Sequence, residues 1–216
     1  MKRKVLAGLL TVVMAAGFVA VPGMQTEVKA DDKKLVGVAM PTKDLQRWNQ
    51  DGENMKKSLE DAGYEVDLQY ASNEVATQVS QVENMISNGC DILVIASIDG
   101  SSLGEPLSQA KEAGIPVIAY DRLLMESDAV SYYATFDNYM VGQKQGEYIE
   151  EALNLKEEKG PFNIELVAGA PDDNNAKFFF SGAMDVLQPY IDEGVLVVKS
   201  GQTEFEKCAT QAWDSA

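Results

Sequence analysis

The run Ile92-Leu93-Val94-Ile95-Ala96, followed by Ser97-Ile98-Asp99-Gly100, decides the fold. Five apolar residues in succession, with β-branched Ile92, Val94 and Ile95 among them, have the composition of a strand but lack the apolar-polar alternation of a strand with one wet face. Such a run belongs in a sheet covered on both sides. Similar strand-like runs stand at 35–40, 65–70, 116–120, 132–136, 163–168 and 195–199. Between them, amphipathic patterns predict helices over 45–62, 75–88, 102–113, 141–153 and 176–190, with Gly63, Gly89, Gly114 and Gly194 as stop signals. Alternating strands and helices with covered strands predict an α/β fold of doubly wound parallel sheet. In such folds ligands bind beyond the carboxyl ends of the strands, so the loops there are where function is sought.

Those loops are polar: Pro41-Thr42-Lys43-Asp44-Leu45-Gln46-Arg47-Trp48, Asp121-Arg122, Asp137-Asn138, and Gly169-Ala170-Pro171-Asp172-Asp173-Asn174-Asn175. No G-x-G-x-x-G or G-x-x-x-x-G-K-[ST] motif occurs, so a glycine loop that cradles phosphate is unsupported. The chain has no histidine, which removes Ser-His-Asp catalysis and most zinc sites. Its two cysteines, Cys90 and Cys208, lie far apart in sequence, and unpaired thiols are the simpler reading than a disulfide. No solenoid-type repeat or low-complexity segment interrupts the pattern.

The start of the chain reads as a secretory signal. Lys2, Arg3 and Lys4 precede an apolar run from Val5 to Val21, and Val28-Lys29-Ala30 supplies a small-x-small cleavage site, so export with cleavage after Ala30 is expected. The leader holds no cysteine for lipid attachment, and the run is short for a membrane span. Loss of Lys2, Arg3, Lys4, Lys29 and Glu27 with the leader turns the net charge of −16 into −19. That surface repels phosphate backbones and anionic lipid heads, so neither nucleic acid nor a membrane surface is an expected partner.

Arginine, aspartate, asparagine and tryptophan in these loops, without histidine or a phosphate loop, suit a neutral polyol. Planar carboxylate, guanidinium and carboxamide groups each meet two neighbouring hydroxyls, and an aromatic ring packs on the apolar face of a sugar. Each element also has a purely structural reading. Asp121-Arg122 could be a local ion pair, Trp48 a core anchor and Arg47 a solvated side chain. One of Asp172, Asp173, Asn174 and Asn175 is expected to cap the helix near Ala176, leaving the others for a ligand. Calcium at this acidic run is disfavoured, because the alternating ligand spacing and following glycine of an EF-hand are missing. Asp137-Asn138 is expected to cap the helix near Val141.

Several segments taken together carry a resemblance: Val36-Gly37-Val38-Ala39-Met40, Gln46-Arg47-Trp48, 77–86, Ala119-Tyr120-Asp121-Arg122, Phe136-Asp137-Asn138, 171–176 and 186–190. In order and spacing they resemble the periplasmic sugar-binding proteins of bacterial ABC transporters, of the ribose- and xylose-binding type. The multiple-sugar-binding receptors look nearest. The resemblance implies a type I periplasmic binding protein, monomeric and not an enzyme, with two Rossmann-like lobes that close over one monosaccharide of the xylose, glucose or galactose class. It further implies delivery to a membrane permease, a chemosensory receptor as a second client, and neither cofactor nor metal. Residue by residue, the sugar contacts of the family fall on Arg47, Asp121, Arg122, Asp173, Asn175 and Trp213. The implied organisation is a signal peptide at 1–30, an N-terminal lobe at 31–138 and a partial C-terminal lobe at 139–216. Relatives continue further, so this chain is expected to be a fragment with an incomplete site. Two other classes are alternatives: a secreted glycosidase using Asp121 and Asp173, and a sugar-sensing regulator, which would need a helix-turn-helix where the leader stands.

Overall fold

A computed structural model describes residues 33–213, so the expected signal peptide lies outside the described residues. The unbroken apolar run forms β3 (Ile92–Ile95), in a five-stranded parallel sheet with β1 (Leu35–Met40), β2 (Glu65–Tyr70), β4 (Val117–Tyr120) and β5 (Val130–Ala134). The strand order is β2-β1-β3-β4-β5. Because β1 and β3 are neighbours while β2 lies outside β1, the connections leave in opposite directions on either side of β1. The loops after β1 and β3 therefore open a crevice at the sheet's carboxyl edge.

In β1 and β3 both sets of alternating side chains are buried, which explains their unbroken apolar runs. Ala39, Leu93, Ile95, Val117 and Ala119 pack with Val82 and Met85 of α2 (Val75–Ser87) and Leu107 of α3 (Gly104–Glu112). Val36, Val38, Met40, Val94 and Ala96 pack with Trp48 and Met55 of α1 (Gln46–Asp61) on the opposite face. Gly37 is required by the first packing, since a Cβ there would lie 2.8 Å from Met85 Sδ and 2.9 Å from Leu93 Cδ2. The predicted stops at Gly63, Gly89, Gly114 and Gly194 all have positive φ just past a helix end.

A second, two-stranded parallel sheet joins β6 (Phe162–Ile164) to β7 (Leu196–Val198). It is backed by α4 (Asn138–Ala152) and α5 (Asn174–Asp192), followed by a short α6 (Phe205–Cys208) and a 3-10 turn (Gln211–Trp213). The two long helices approach at glycines: a Cβ on Gly142 would meet the Phe179 carbonyl at 2.2 Å, and one on Gly182 the Tyr139 carbonyl at 2.1 Å.

Several predicted bounds move, each for a visible reason. The strand expected at 132–136 runs from Val130 to Ala134, because an irregularity in its pairing with β4 sets Val117 opposite Val130 and Ile118 opposite Tyr132. The strand expected at 163–168 stops at Ile164, and the Glu165 carboxylate then accepts from Ser200 N at 2.9 Å and Ser200 Oγ at 2.6 Å. Beyond it, Val167 is 78% exposed, and Ala168 pairs instead with the segment around Ala209. The helix expected from Val141 starts at Asn138, capped by Asp137, whose carboxylate accepts from Met140 N at 2.9 Å. Both cysteines are unpaired and buried, and burial pushes the Cys90 thiol up to about 11. Among the described residues no helix is long and apolar enough to cross a membrane.

Candidate functional site

Arg47, Asp121, Arg122, Asp173, Asn175 and Trp213 line one cavity of about 280 Å3, together with Leu45, Trp48 and Phe179. The six residues singled out from sequence thus come from four separate loops and meet at one place. The cavity sits at the carboxyl edge of the large sheet, facing the amino end of α5.

Arg47 stands in the first turn of α1, which begins without a side-chain cap. Its Nη2 donates to Asp121 Oδ1 at 2.5 Å and its Nε to Asp51 Oδ2 at 3.3 Å. Burial works against its charge, but the hydrogen bonds and charges of Asp121 and Asp51 outweigh it and raise the guanidinium above its ordinary value. Asp121 follows β4 with φ of +62°, an unusual conformation for a residue with a side chain.

Arg122 is buried, and its Nη1 donates to the carbonyls of Ser97 at 3.1 Å and Ile98 at 3.0 Å. Its Nε lies 3.1 Å from Asp173 Oδ2 without the alignment of a hydrogen bond, so this pair is chiefly ionic. The loop that supplies those carbonyls is itself held by Gln78 of α2, fully buried, whose Nε2 donates to the Ala96 carbonyl at 2.9 Å while its Oε1 accepts from Ile98 N at 2.8 Å. Trp48 lies between the two arginines, with guanidinium carbons 4.7 Å (Arg47) and 5.4 Å (Arg122) from its ring. It therefore combines the core role and the site role that the sequence left open.

Asp173 is the cap of α5. Its Oδ1 accepts from Asn175 N at 2.9 Å, while its Oδ2 accepts from Trp213 Nε1 at 3.0 Å. The cap and the candidate ligand contact are thus one residue, and Asp172 is left exposed. Burial raises the Asp173 carboxyl above its ordinary value against the opposing pull of Arg122, the Asn175 amide and Trp213. The Trp213 ring packs over Gly169, where a Cβ would fall 2.2 Å from it, and edge-on to Phe179 at 6.4 Å. A second, mostly apolar cavity of about 260 Å3 lies on the other side of Phe179 and Trp213, against Ile149, Ala168, Met184 and Leu187.

The electrostatics are balanced. Two guanidinium groups face two carboxylates, each pair in contact, and the remaining lining is uncharged: Trp48, Phe179, Trp213, Leu45 and the Asn175 amide. A charged ligand would have to leave one of these groups unmatched, whereas a neutral ligand with many hydroxyls can donate to the carboxylates and accept from the guanidinium groups without disturbing either pair. Among the described residues no group of three or more Cys, Asp or Glu is placed to hold a metal ion.

The roles of Gln78, Tyr133 and Asn138 around the cavity were not read from the sequence. For Gln78 a signal existed: it occupies the apolar stripe of its helix with Val82 and Met85, where a polar residue must find buried partners.

Comparison with known proteins identifies the family. A profile for the family described as "Periplasmic binding protein domain" matches residues 36–216. The chain is 53% identical over 203 residues to the multiple sugar-binding periplasmic protein SbpA of Azospirillum brasilense and 54% identical over 202 residues to the multiple sugar-binding periplasmic receptor ChvE of Rhizobium radiobacter. Each match takes in 94% of this chain and 57% of the relative, so the chain spans little more than half the length of these relatives. A solved ABC transporter solute-binding protein from Clostridium phytofermentans with bound β-D-glucose is 76% identical, with a TM-score of 0.82 over 84% of this chain and 56% of that one.

Proposed function

The chain belongs to the periplasmic binding protein domain family, and from that premise we propose that it serves as the sugar-capturing part of an exported solute-binding protein, taking a neutral monosaccharide of the xylose, glucose or galactose class. The two lobes we propose meet at the turn around Asp137 and Asn138, with the ligand held between them by Arg47, Asp121, Arg122, Asp173, Asn175 and Trp213. Delivery to an ABC sugar permease follows from the same reading, and so does an extracytoplasmic location. No reaction is part of it, because both carboxylates of the cavity are paired with arginines rather than separated into an acid and a base.

The charge balance of the cavity is the observation that carries the proposal. The test is a thermal-shift panel of neutral aldoses alongside the matching sugar phosphates, since a ligand that binds only the native state raises its melting temperature. Neutral aldoses should raise it and sugar phosphates should not. A panel in which only phosphorylated or acidic sugars stabilise the protein overturns the reading. Asp121→Ala should cost about 2 to 4 kcal/mol of sugar affinity by calorimetry, because donors of the ligand and of Arg47 lose a charged acceptor.

A further inference from the structure

The Asp121 backbone carbonyl is a meeting point. It accepts from Asn175 Nδ2 at 2.9 Å and from Thr135 Oγ1 at 3.0 Å, and the Tyr133 hydroxyl lies 3.2 Å away. The same Tyr133 hydroxyl lies 3.3 Å from Asn175 Oδ1, which also accepts from Asn138 Nδ2 at 2.8 Å. Asn138 Nδ2 further reaches Thr135 Oγ1 at 3.4 Å. Of the two ends of a side-chain amide only the NH2 can face a carbonyl, so the Asp121 oxygen fixes which way the Asn175 amide points, and the Asn138 amide follows from it.

Counting protons closes the network. With the single Tyr133 proton directed at Asn175 Oδ1, the two lone pairs of the Asp121 oxygen take Thr135 and Asn175, and the two of Asn175 Oδ1 take Tyr133 and Asn138. Asn175, 3% exposed, is left with one free N–H at the cavity. Asn138 is buried as well and does not line the cavity.

We propose that Asn138 is a positioning residue for the sugar site: through Asn175 it holds the Asp121 carbonyl, and with it the strained Asp121 backbone whose carboxylate meets Arg47, while touching no ligand itself. The network joins the end of β5, the start of α4 and the start of α5, so it ties the β4 loop of the large sheet to the elements that back the small one. Asn175, on this account, contributes a single donor to the ligand and spends the rest of its amide on the protein. The inference rests on the sugar-binding reading.

The test is a double-mutant cycle read by calorimetry with D-glucose, joined to deuterium exchange of the ligand-free protein. Asn138→Ala should weaken D-glucose binding about tenfold, Asn175→Ala should weaken it more, and the double variant should bind no worse than Asn175→Ala alone. A purely structural residue would instead give additive losses. Asp137→Ala, which removes the neighbouring cap and no member of the network, should lower the melting temperature while keeping the affinity within about twofold. Without ligand, Asn138→Ala should speed exchange of the peptide covering 118–124, and Asp137→Ala should not. If Asn138→Ala does not fold, Tyr133→Phe removes one hydroxyl and should give the same pattern, with about threefold weaker binding. Additive losses in the cycle, or unchanged affinity in a folded Asn138→Ala, overturn the proposal. Wild-type protein that binds no D-glucose counts against the sugar reading instead, and the exchange arm then decides the relay, with equal exchange in the two variants overturning it.

Discussion

The large sheet and the small one are built from the same kinds of element and hold together differently. In the large sheet, β3 and β1 bury alternate side chains against α1 on one face and α2 and α3 on the other, so each strand residue contributes to one of two cores. In the small sheet, two strands of three residues bury Leu196 and the neighbouring Val195 against Leu155 and Leu187, a single cluster. What the small sheet lacks in strand area, α4 and α5 supply by close helix contact through Gly142 and Gly182. The cavity spans the two, with Arg47, Asp121 and Arg122 on loops of the first and Asp173, Asn175 and Trp213 on loops of the second. A site built this way has a firm half and a yielding half. Limited proteolysis should accordingly cut within the small sheet and its helices first and leave a core ending near Asp137.

The largest expected effect tests the firm half. Leu93 is fully buried in the cluster under α2 and α3, so Leu93→Ala removes its transfer energy and leaves a cavity that packed neighbours cannot close. A loss of about 3 kcal/mol or more is expected in denaturant unfolding. A loss below about 1 kcal/mol would mean that the large sheet is loosely packed and that the contrast between the two regions is wrong.

Next comes the helix pair. Gly182→Ala places a methyl against the Tyr139 carbonyl, where backbone on both sides must shift, so overpacking of about 2 kcal/mol is expected. The loss should be local. Deuterium exchange should rise in α4, α5, β6 and β7 while α2 and β3 keep their protection. Equal loosening of both regions would show that they unfold as one unit. A smaller effect comes from Asp137→Ala, which removes the cap at Met140 N and should cost about 1 kcal/mol in the same assay.

The same contrast explains what the sequence could reveal. The bounds of β1 and β2 are readable because the unbroken apolar run of β1 ends at Pro41 and the polar-apolar alternation from Glu65 to Tyr70 ends at Ala71-Ser72-Asn73, where the chain turns. In the small sheet the pattern misleads: Leu166, Val167 and Ala168 continue the apolar run of β6, but β7 has already turned away, with Gly201 N donating to the Val198 carbonyl at 3.0 Å and Ser200 held by the Glu165 carboxylate. The start of β5 is hidden for a similar reason, since the irregularity beside Val117 leaves no local mark. The six cavity residues are legible from loop position and resemblance, whereas composition predicts only that one of Asp172, Asp173, Asn174 and Asn175 caps α5 and does not single out Asp173, which turns out to be both cap and cavity residue. The placing of Trp48 between two guanidinium groups, and the links from Asn138 to Asn175, depend on side chains distant in sequence and have no local signature.

Asp173 tests the junction itself, because burial among elements of the small sheet raises its carboxyl while Arg122, from the large one, pulls it down. Burial is the larger influence, so the folded-state value lies above the unfolded one. Between those values the folded protein keeps a proton that the unfolded chain has released. Stability must then fall as pH rises through that window, and level off once the folded-state carboxyl has ionised. Asp173→Asn keeps a capping side chain but has no proton to lose, so the wild-type melting temperature measured relative to it should decline as pH rises from the ordinary aspartate value toward the raised folded-state one. This is the smallest effect of the set and is read as a slope, independent of any constant offset from leaving Arg122 without its counterion. A slope of the opposite sign would mean that the cation of the large sheet controls the carboxylate, and that the site is governed from its firm half.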